Sequence, residues 1–299
     1  MSSITSPHNS NITHPAAILM IIITGVVLAG MDVTAKFLAL GLPVIIVLWA
    51  RYFFHTVITF GVYAVKQQSF SFLRSRRPGF QLIRAASLFG ATSFMYVAIT
   101  LMPLGDAAAI QFLAPVLVTA FSGLFLGEHV GPRRLTAVAI AFVGVVLVAR
   151  PGSNVLGWFA LYPLATAVLL AVYMMMTRFI RTKDNPDATT FYSTAVGAVI
   201  LTTIVPFYWQ DLTSIEWGLM ILMGLAGATG HFLLVKAFHL AEASMLAPFT
   251  YSQVVGAIFW GFLVFGDVPS IWAGCGTTLI IGSGIYVWYL ETRIRHTSI

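Results

Sequence analysis

Charge is what this sequence has least of. Asp, Glu, Lys and Arg make up 9% of its 299 residues, against about 25% in a soluble domain. So few charges cannot cover a water-soluble particle of this size. The mean hydropathy of +0.90 agrees, and the apolar surface must face lipid. Cysteine is nearly absent too. The single Cys275 excludes an intrachain disulfide and any CxxC site. The seven histidines form no HExxH or HxxxD-like group, so the sequence carries no sign of a lipid-modifying enzyme, a bound metal or a cofactor. No filter loop or charge ring marks a channel. The first fourteen residues hold no Lys or Arg, which excludes the basic start of a secretory signal. Residues 1–15 are therefore expected to be a disordered tail ahead of a retained membrane helix.

What is present is a series of ten apolar runs, each near the ~20 residues that a membrane helix needs. They span roughly 16–40, 44–65, 80–103, 105–127, 133–150, 155–179, 188–209, 215–240, 243–266 and 269–291. They are too long for the ~10-residue strands of a barrel and do not alternate. The expected fold is an all-α membrane protein with ten transmembrane helices. The net charge of +6 sits between the runs, so it speaks for topology rather than nucleic-acid binding. With the N-terminus inside, the inner loops hold Lys66, Arg74, Arg76, Arg77, Arg133, Arg134, Arg181 and Lys183. The outer loops hold Arg150 and mostly acids. That asymmetry places both termini in the cytoplasm of a cell inner (plasma) membrane.

The chain also repeats itself. Gly90-Ala91-Thr92 and Gly227-Ala228-Thr229 open the same succession of loop, helix, Gly-acid pair and helix. Gly127-Glu128 answers Gly266-Asp267, and Leu28, Lys36 and Phe37 answer Leu170, Arg178 and Phe179 at constant offset. Each copy holds five helices, and an odd number forces the second copy to enter from the opposite side. The expected organisation is repeat one over 16–150, inverted repeat two over 151–291, and a cytoplasmic tail over 292–299. Inverted repeats mark secondary carriers, whose solute site lies at the repeat interface.

Several segments carry a family resemblance. In the first half they are Pro103-Leu104-Gly105-Asp106-Ala107-Ala108, Phe112-Leu113-Ala114-Pro115 and Leu126-Gly127-Glu128. In the second they are Lys236-Ala237-Phe238, Ala241-Glu242-Ala243-Ser244, Ala247-Pro248-Phe249-Thr250-Tyr251 and Phe265-Gly266-Asp267-Val268-Pro269. Over nearly its whole length the chain resembles the drug/metabolite transporter superfamily, in its ten-helix EamA branch. The resemblance implies alternating access without an ATP-binding domain, and the chain has no Walker-type loop. Its second half is most similar to the branch that includes riboflavin and S-adenosylmethionine uptake carriers.

Ionisable groups inside membrane helices usually face a cavity or a partner. Asp32 and Arg51 both fall about 10–12 Å below the outer end of the first helical hairpin, so they are level and can pair. Such a pair either braces the hairpin or binds solute, with Asp32 as a proton or cation site and Arg51 as a bidentate receptor for carboxylate or phosphate. Lys36 is expected to snorkel to the outer surface. His231 is either a core histidine bonded to a carbonyl or a cavity residue that titrates during transport. Asp32 and His231 are the expected coupling residues. Gln111 shares a face with Pro115 in the fourth run, and Pro248 precedes Tyr251 and Gln253 in the ninth. Polar groups beside a proline kink suit a solute. Tyr96 and Tyr173 can wall a flat or cationic solute. Glu128 and Asp267 are read as caps or hinges.

The expected function is secondary transport of a small polar metabolite, amino acid-like or anionic. A riboflavin or S-adenosylmethionine type of solute is the alternative. The expected partners are a small-molecule solute and the lipid bilayer, with no nucleic acid. The chain is expected to act as a monomer or homodimer, the small pair Gly123 and Gly127 serving packing within or between chains.

Overall fold

The computed structural model describes residues 15–67, 70–126, 132–149, 157–180, 184, 186–241 and 246–297. Residues 1–14, Gly127, Glu128 and the boundary expected at 150–151 lie outside the described residues. All regular structure among the described residues is helical. That follows from the solvent: in hydrocarbon every backbone N–H and C=O must be satisfied within its own segment.

The helices are α1 (Pro15–Leu38), α2 (Val44–Gln67), α3 (Pro78–Leu101), α4 (Leu104–Gln111), α5 (Ala114–Leu126), α6 (Pro132–Ala149), α7 (Leu161–Ile180), α8 (Pro186–Ile204), α9 (Ser214–Leu240), α10 (Ser252–Phe265) and α11 (Ile271–Thr297). Eight segments among the described residues are long and apolar enough to cross a membrane, and Leu104–Val118 and Leu135–Ala149 form shorter apolar helices. The last helix runs to Thr297, past the expected end at 291.

The fourth run departs from the sequence reading, because it is two helices rather than one. Pro115 has no N–H to give to the Gln111 carbonyl, so the α-helical ladder breaks there. Leu113 N–H instead bonds Ile110 O at 3.0 Å, and Leu117 N–H returns to Leu113 O at 3.0 Å as α5 begins. Gln111 therefore ends α4 while Pro115 belongs to α5. In the ninth run Pro248 lies in a 3₁₀ turn, Ala247–Tyr251, ahead of α10.

Helix α1 packs against α9 and α10, α2 against α8 and α9, and α3 against α7 and α8. Helix α4 packs against α7 and α10, α5 against α7, and α6 against α11. Small residues set the closest approaches. At the α6–α11 crossing a Cβ on Gly144 would lie 2.7 Å from the Gly276 carbonyl oxygen, so the two backbones touch. Such contacts supply the dispersion that holds membrane helices together where lipid tails remove the hydrophobic drive.

Helix α10 ends at Gly266, whose φ of 69° is left-handed. Gly266 N–H bonds Phe262 O at 3.0 Å, the single bond of an αL glycine cap, and Asp267 N–H reaches back to Gly261 O at 3.2 Å. This cap turns the Asp267 carboxylate back toward the bundle.

Candidate solute site

The site is built where α2 meets α3, α8 and α9. Its lining is Arg51, Tyr52, His55, Leu88, Thr194 and His231, around a cavity of about 30 Å³. That is room for one or two waters, and far below the 300 Å³ or so of a typical small-molecule pocket. The bundle is therefore closed around this point. A larger depression of about 620 Å³ along Pro269–Leu279 is open and mostly apolar. It lies on the outer face of α11 and offers a solute little to recognise.

Asp32 and Arg51 meet as their helical levels require: Nη1 lies 3.7 Å from Oδ1. Arg51 also donates to the Tyr96 hydroxyl at 3.2 Å, with its guanidinium 5.2 Å from that ring's centre. The Gln253 side chain reaches the Asp32 carboxyl from α10. Four expected site residues, Asp32, Arg51, Tyr96 and Gln253, thus share one cluster.

His231 belongs to the same neighbourhood through His55, which lies one turn beyond Arg51 in α2. The two imidazole centres are 4.9 Å apart. Glycines make this possible, because a Cβ on Gly227 would sit 2.9 Å from His55 Nδ1. His231 Nδ1 lies 3.1 Å from Gly227 O. A carbonyl can only accept, so Nδ1 carries a proton and Nε2 is left as the acceptor of the neutral ring. The Tyr52 hydroxyl bonds Thr92 Oγ1 at 3.0 Å.

Two expected residues lie elsewhere. Tyr251 is buried in a separate apolar cluster with Ala109 and Val254, its ring 5.3 Å from Phe112. Gln111 is half-buried at the end of α4 and is not among the cavity's lining residues. Tyr173 stands beside the cavity rather than in it, near Tyr52, with its ring against Arg84 at 5.0 Å.

Arg84 is the residue that sequence reasoning missed. It is 1% exposed. It follows the basic loop of Arg74, Arg76 and Arg77 so closely that it looks like the loop's last member. Lys36 needs a correction: it does not snorkel. Its Nζ lies 2.9 Å from Asp267 Oδ2 and 3.2 Å from Met102 O, joining the ends of α1, α3 and α10. The Gly266 cap aims Asp267 at it.

The EamA-like transporter family profile matches residues 15–150 and again 157–289. The chain belongs to this family. Among its EamA-like relatives, the S-adenosylmethionine uptake transporter of Rickettsia conorii is 26% identical over 88% of this chain and 88% of its own. The riboflavin transporter of Brucella anthropi is 26% identical over 86% of this chain and 92% of its own. A solved crystal structure shares the fold at a TM-score of 0.63 and 19% identity, covering 94% of this chain and 99% of that one. This EamA-like chain is a multi-pass membrane protein and a transporter of small metabolites.

Proposed function

We propose that the chain is a secondary active carrier working by alternating access, with ten transmembrane helices in two inverted five-helix repeats, and not an enzyme. The double family match supports this reading, and so does the packing. Exchanging α1, α2, α3, α4–α5 and α6 for α7, α8, α9, α10 and α11 turns each helix contact described above into another of them, or into itself. Side chains follow the same rule. Thr24 in α1 hydrogen-bonds its own helix and the Gly230 carbonyl of α9. Thr166 in α7 bonds its own helix and the Ala91 carbonyl of α3. Thr24 and Thr166 stand 142 residues apart, as do Leu28 and Leu170. The loop charges favour both termini on the cytoplasmic side of the plasma membrane.

The observation that carries the solute assignment is the Asp32–Arg51 pair beside the cavity, at 3.7 Å. That distance is longer than a bidentate charge-assisted contact, so each group retains capacity for a solute. A zwitterionic, amino acid-like head matches the pair in both signs: its ammonium goes to Asp32 and its carboxylate to Arg51. A nucleoside or vitamin solute is the second reading, favoured by the names of the relatives and by the aromatic walls of Tyr52 and Tyr96. The S-adenosylmethionine type satisfies both, having a zwitterionic head on a flat base. Asp32 and the Nε2 of His231 are the groups that would carry a coupling proton.

The test is counterflow in proteoliposomes with amino acids, S-adenosylmethionine and riboflavin, beside the Asp32→Asn variant. We expect saturable exchange of one class, lost in Asp32→Asn although the protein is still made. Wild-type rates in that variant would leave Asp32 as a structural brace only. Flux that never saturates and shows no exchange would exclude a carrier.

A further inference from the structure

Arg84 sits one helical turn from Leu88, which lines the cavity, on the side away from the Lys36 end of the bundle. Its guanidinium reaches three helices. Nε donates to Gln81 Oε1 at 3.2 Å within α3. Nη1 donates to Thr177 Oγ1 of α7 at 3.3 Å. Nη2 donates to the Thr189 carbonyl and to Ser193 Oγ of α8 at 2.8 Å. The Tyr173 ring of α7 covers its face at 5.0 Å. Ser193 is next in the chain to Thr194, which lines the cavity together with Leu88.

The network continues away from the cavity. Gln81 Nε2 donates to Thr189 Oγ1 at 2.8 Å and to Asp184 Oδ2 at 2.9 Å. Asp184 also accepts from Arg76 N–H at 2.9 Å and from the Ser75 hydroxyl. A hydrogen-bonded plug therefore runs from Arg84 and Ser193, beside the cavity-lining Leu88 and Thr194, to the loops at Ser75 and Asp184. A solute leaving the cavity in that direction must part it.

The chemistry of the plug suits a part that opens. Among the described residues, every group that accepts a hydrogen bond from Arg84 is uncharged. A buried guanidinium held by a carboxylate would be a deep trap in low dielectric, because the two charges could not separate without water. Hydroxyls and a carbonyl release it more easily, and entering water can replace each of them. Among the described residues no carboxylate touches Arg84 directly, the nearest in the network being Asp184 beyond Gln81, and burying an arginine so is otherwise a poor way to join three helices.

We propose that Arg84 is a gating residue. It holds α3 to α7 and α8 and so closes the route between the cavity and the loops at Ser75 and Asp184. The opposite end is closed separately, by Lys36 and Asp267. The inference rests on the carrier reading above. It makes Arg84 a positioning residue that acts on helix separation, not a solute ligand.

The test uses the full chain with Cys275→Ala, which removes the one native thiol, and a Thr194→Cys reporter in the cavity. A charged, water-soluble methanethiosulfonate is added to one face of oriented vesicles. A separate Ser75→Cys variant tells which face carries that loop. With Arg84→Gln added, we expect the reporter to react at least tenfold faster from the Ser75 face, and at an unchanged rate from the other. An unchanged rate at the Ser75 face, or an equal rise from both faces, would overturn the proposal, since a merely loosened bundle has no sidedness. If Arg84→Gln does not fold, the Thr177→Ala/Ser193→Ala pair keeps the guanidinium and removes two acceptors. It must then give a smaller rise on the same face, and no rise overturns the proposal. Reporter labelling needs no solute. A failed counterflow screen with one-sided labelling would count against the solute assignment, and one with two-sided labelling against the gate.

Discussion

Among the described residues two arginines lie inside the bundle, and they are satisfied in opposite ways. Arg51 has a carboxylate, Asp32, at 3.7 Å, and a side chain that is 20% exposed. Arg84 is 1% exposed, and the groups that accept its hydrogen bonds are a hydroxyl pair, an amide oxygen and a backbone carbonyl. The more deeply buried cation is the one with no carboxylate in direct contact among the described residues. Simple electrostatics would have arranged them the other way round. The difference shows what each site is built to do. A charge pair next to a cavity can trade partners with a charged solute. A charge held by neutral acceptors from three helices can let go of one helix without leaving a bare carboxylate behind.

The contrast has thermodynamic consequences, the largest at Arg51. Arg51→Met strands the Asp32 carboxylate in the bundle, and losing one partner of a buried pair costs about 3–5 kcal/mol. Unfolding of purified protein in detergent should show this loss, and adding Asp32→Asn should restore most of it. Arg84→Met leaves only neutral groups behind. Thr177 and Ser193 keep their bonds to the Tyr173 and Thr189 carbonyls, at 2.7 and 2.9 Å. We expect about 1–3 kcal/mol, the cost of unsatisfied neutral acceptors, with no rescue by any acid substitution. A loss larger than that of Arg51→Met would break the comparison. The Lys36–Asp267 pair is the smallest case. Its side chains are 12% and 24% exposed, so Lys36→Met should cost about 1 kcal/mol. High salt should shrink that effect while leaving the Arg51 effect nearly intact.

Parts of this arrangement can be read directly from the chain. Helical rise alone makes Asp32 and Arg51 level, because they sit at matching depths on two consecutive helices joined by a short turn. The limits of most apolar runs are equally legible, since hydropathy changes sharply at Gly and Pro. Pro115 announces a distortion, but not that α4 would stop at Gln111, because the outcome depends on how α5 packs against α6 and α7. Arg84 is illegible for a different reason. Hydropathy along the chain cannot separate a buried arginine from a basic loop that ends a few residues earlier. Only α7 and α8, about a hundred residues further on, bury it. The His55–His231 contact is hidden in the same way. It depends on glycines in α9 whose value is the room they leave for α2, and a histidine on α2 alone does not reveal that. Lys36 misled the reading because its partner arrives from the far end of the sequence.

Gly266 bears on how mutation would act on this chain. A Cβ there would meet nothing within 4 Å, so a survey of contacts would rate the position as free to vary. Its φ of 69° makes it otherwise, since a left-handed backbone costs other residues about 1–2 kcal/mol, with Asn and Asp the best tolerated. A residue unwilling to pay that cost would unwind the cap and turn the Asp267 carboxylate away from Lys36. In a saturation library selected for transport, Gly266 should therefore be depleted of β-branched residues as strongly as a direct contact, although it has no side chain with which to touch anything.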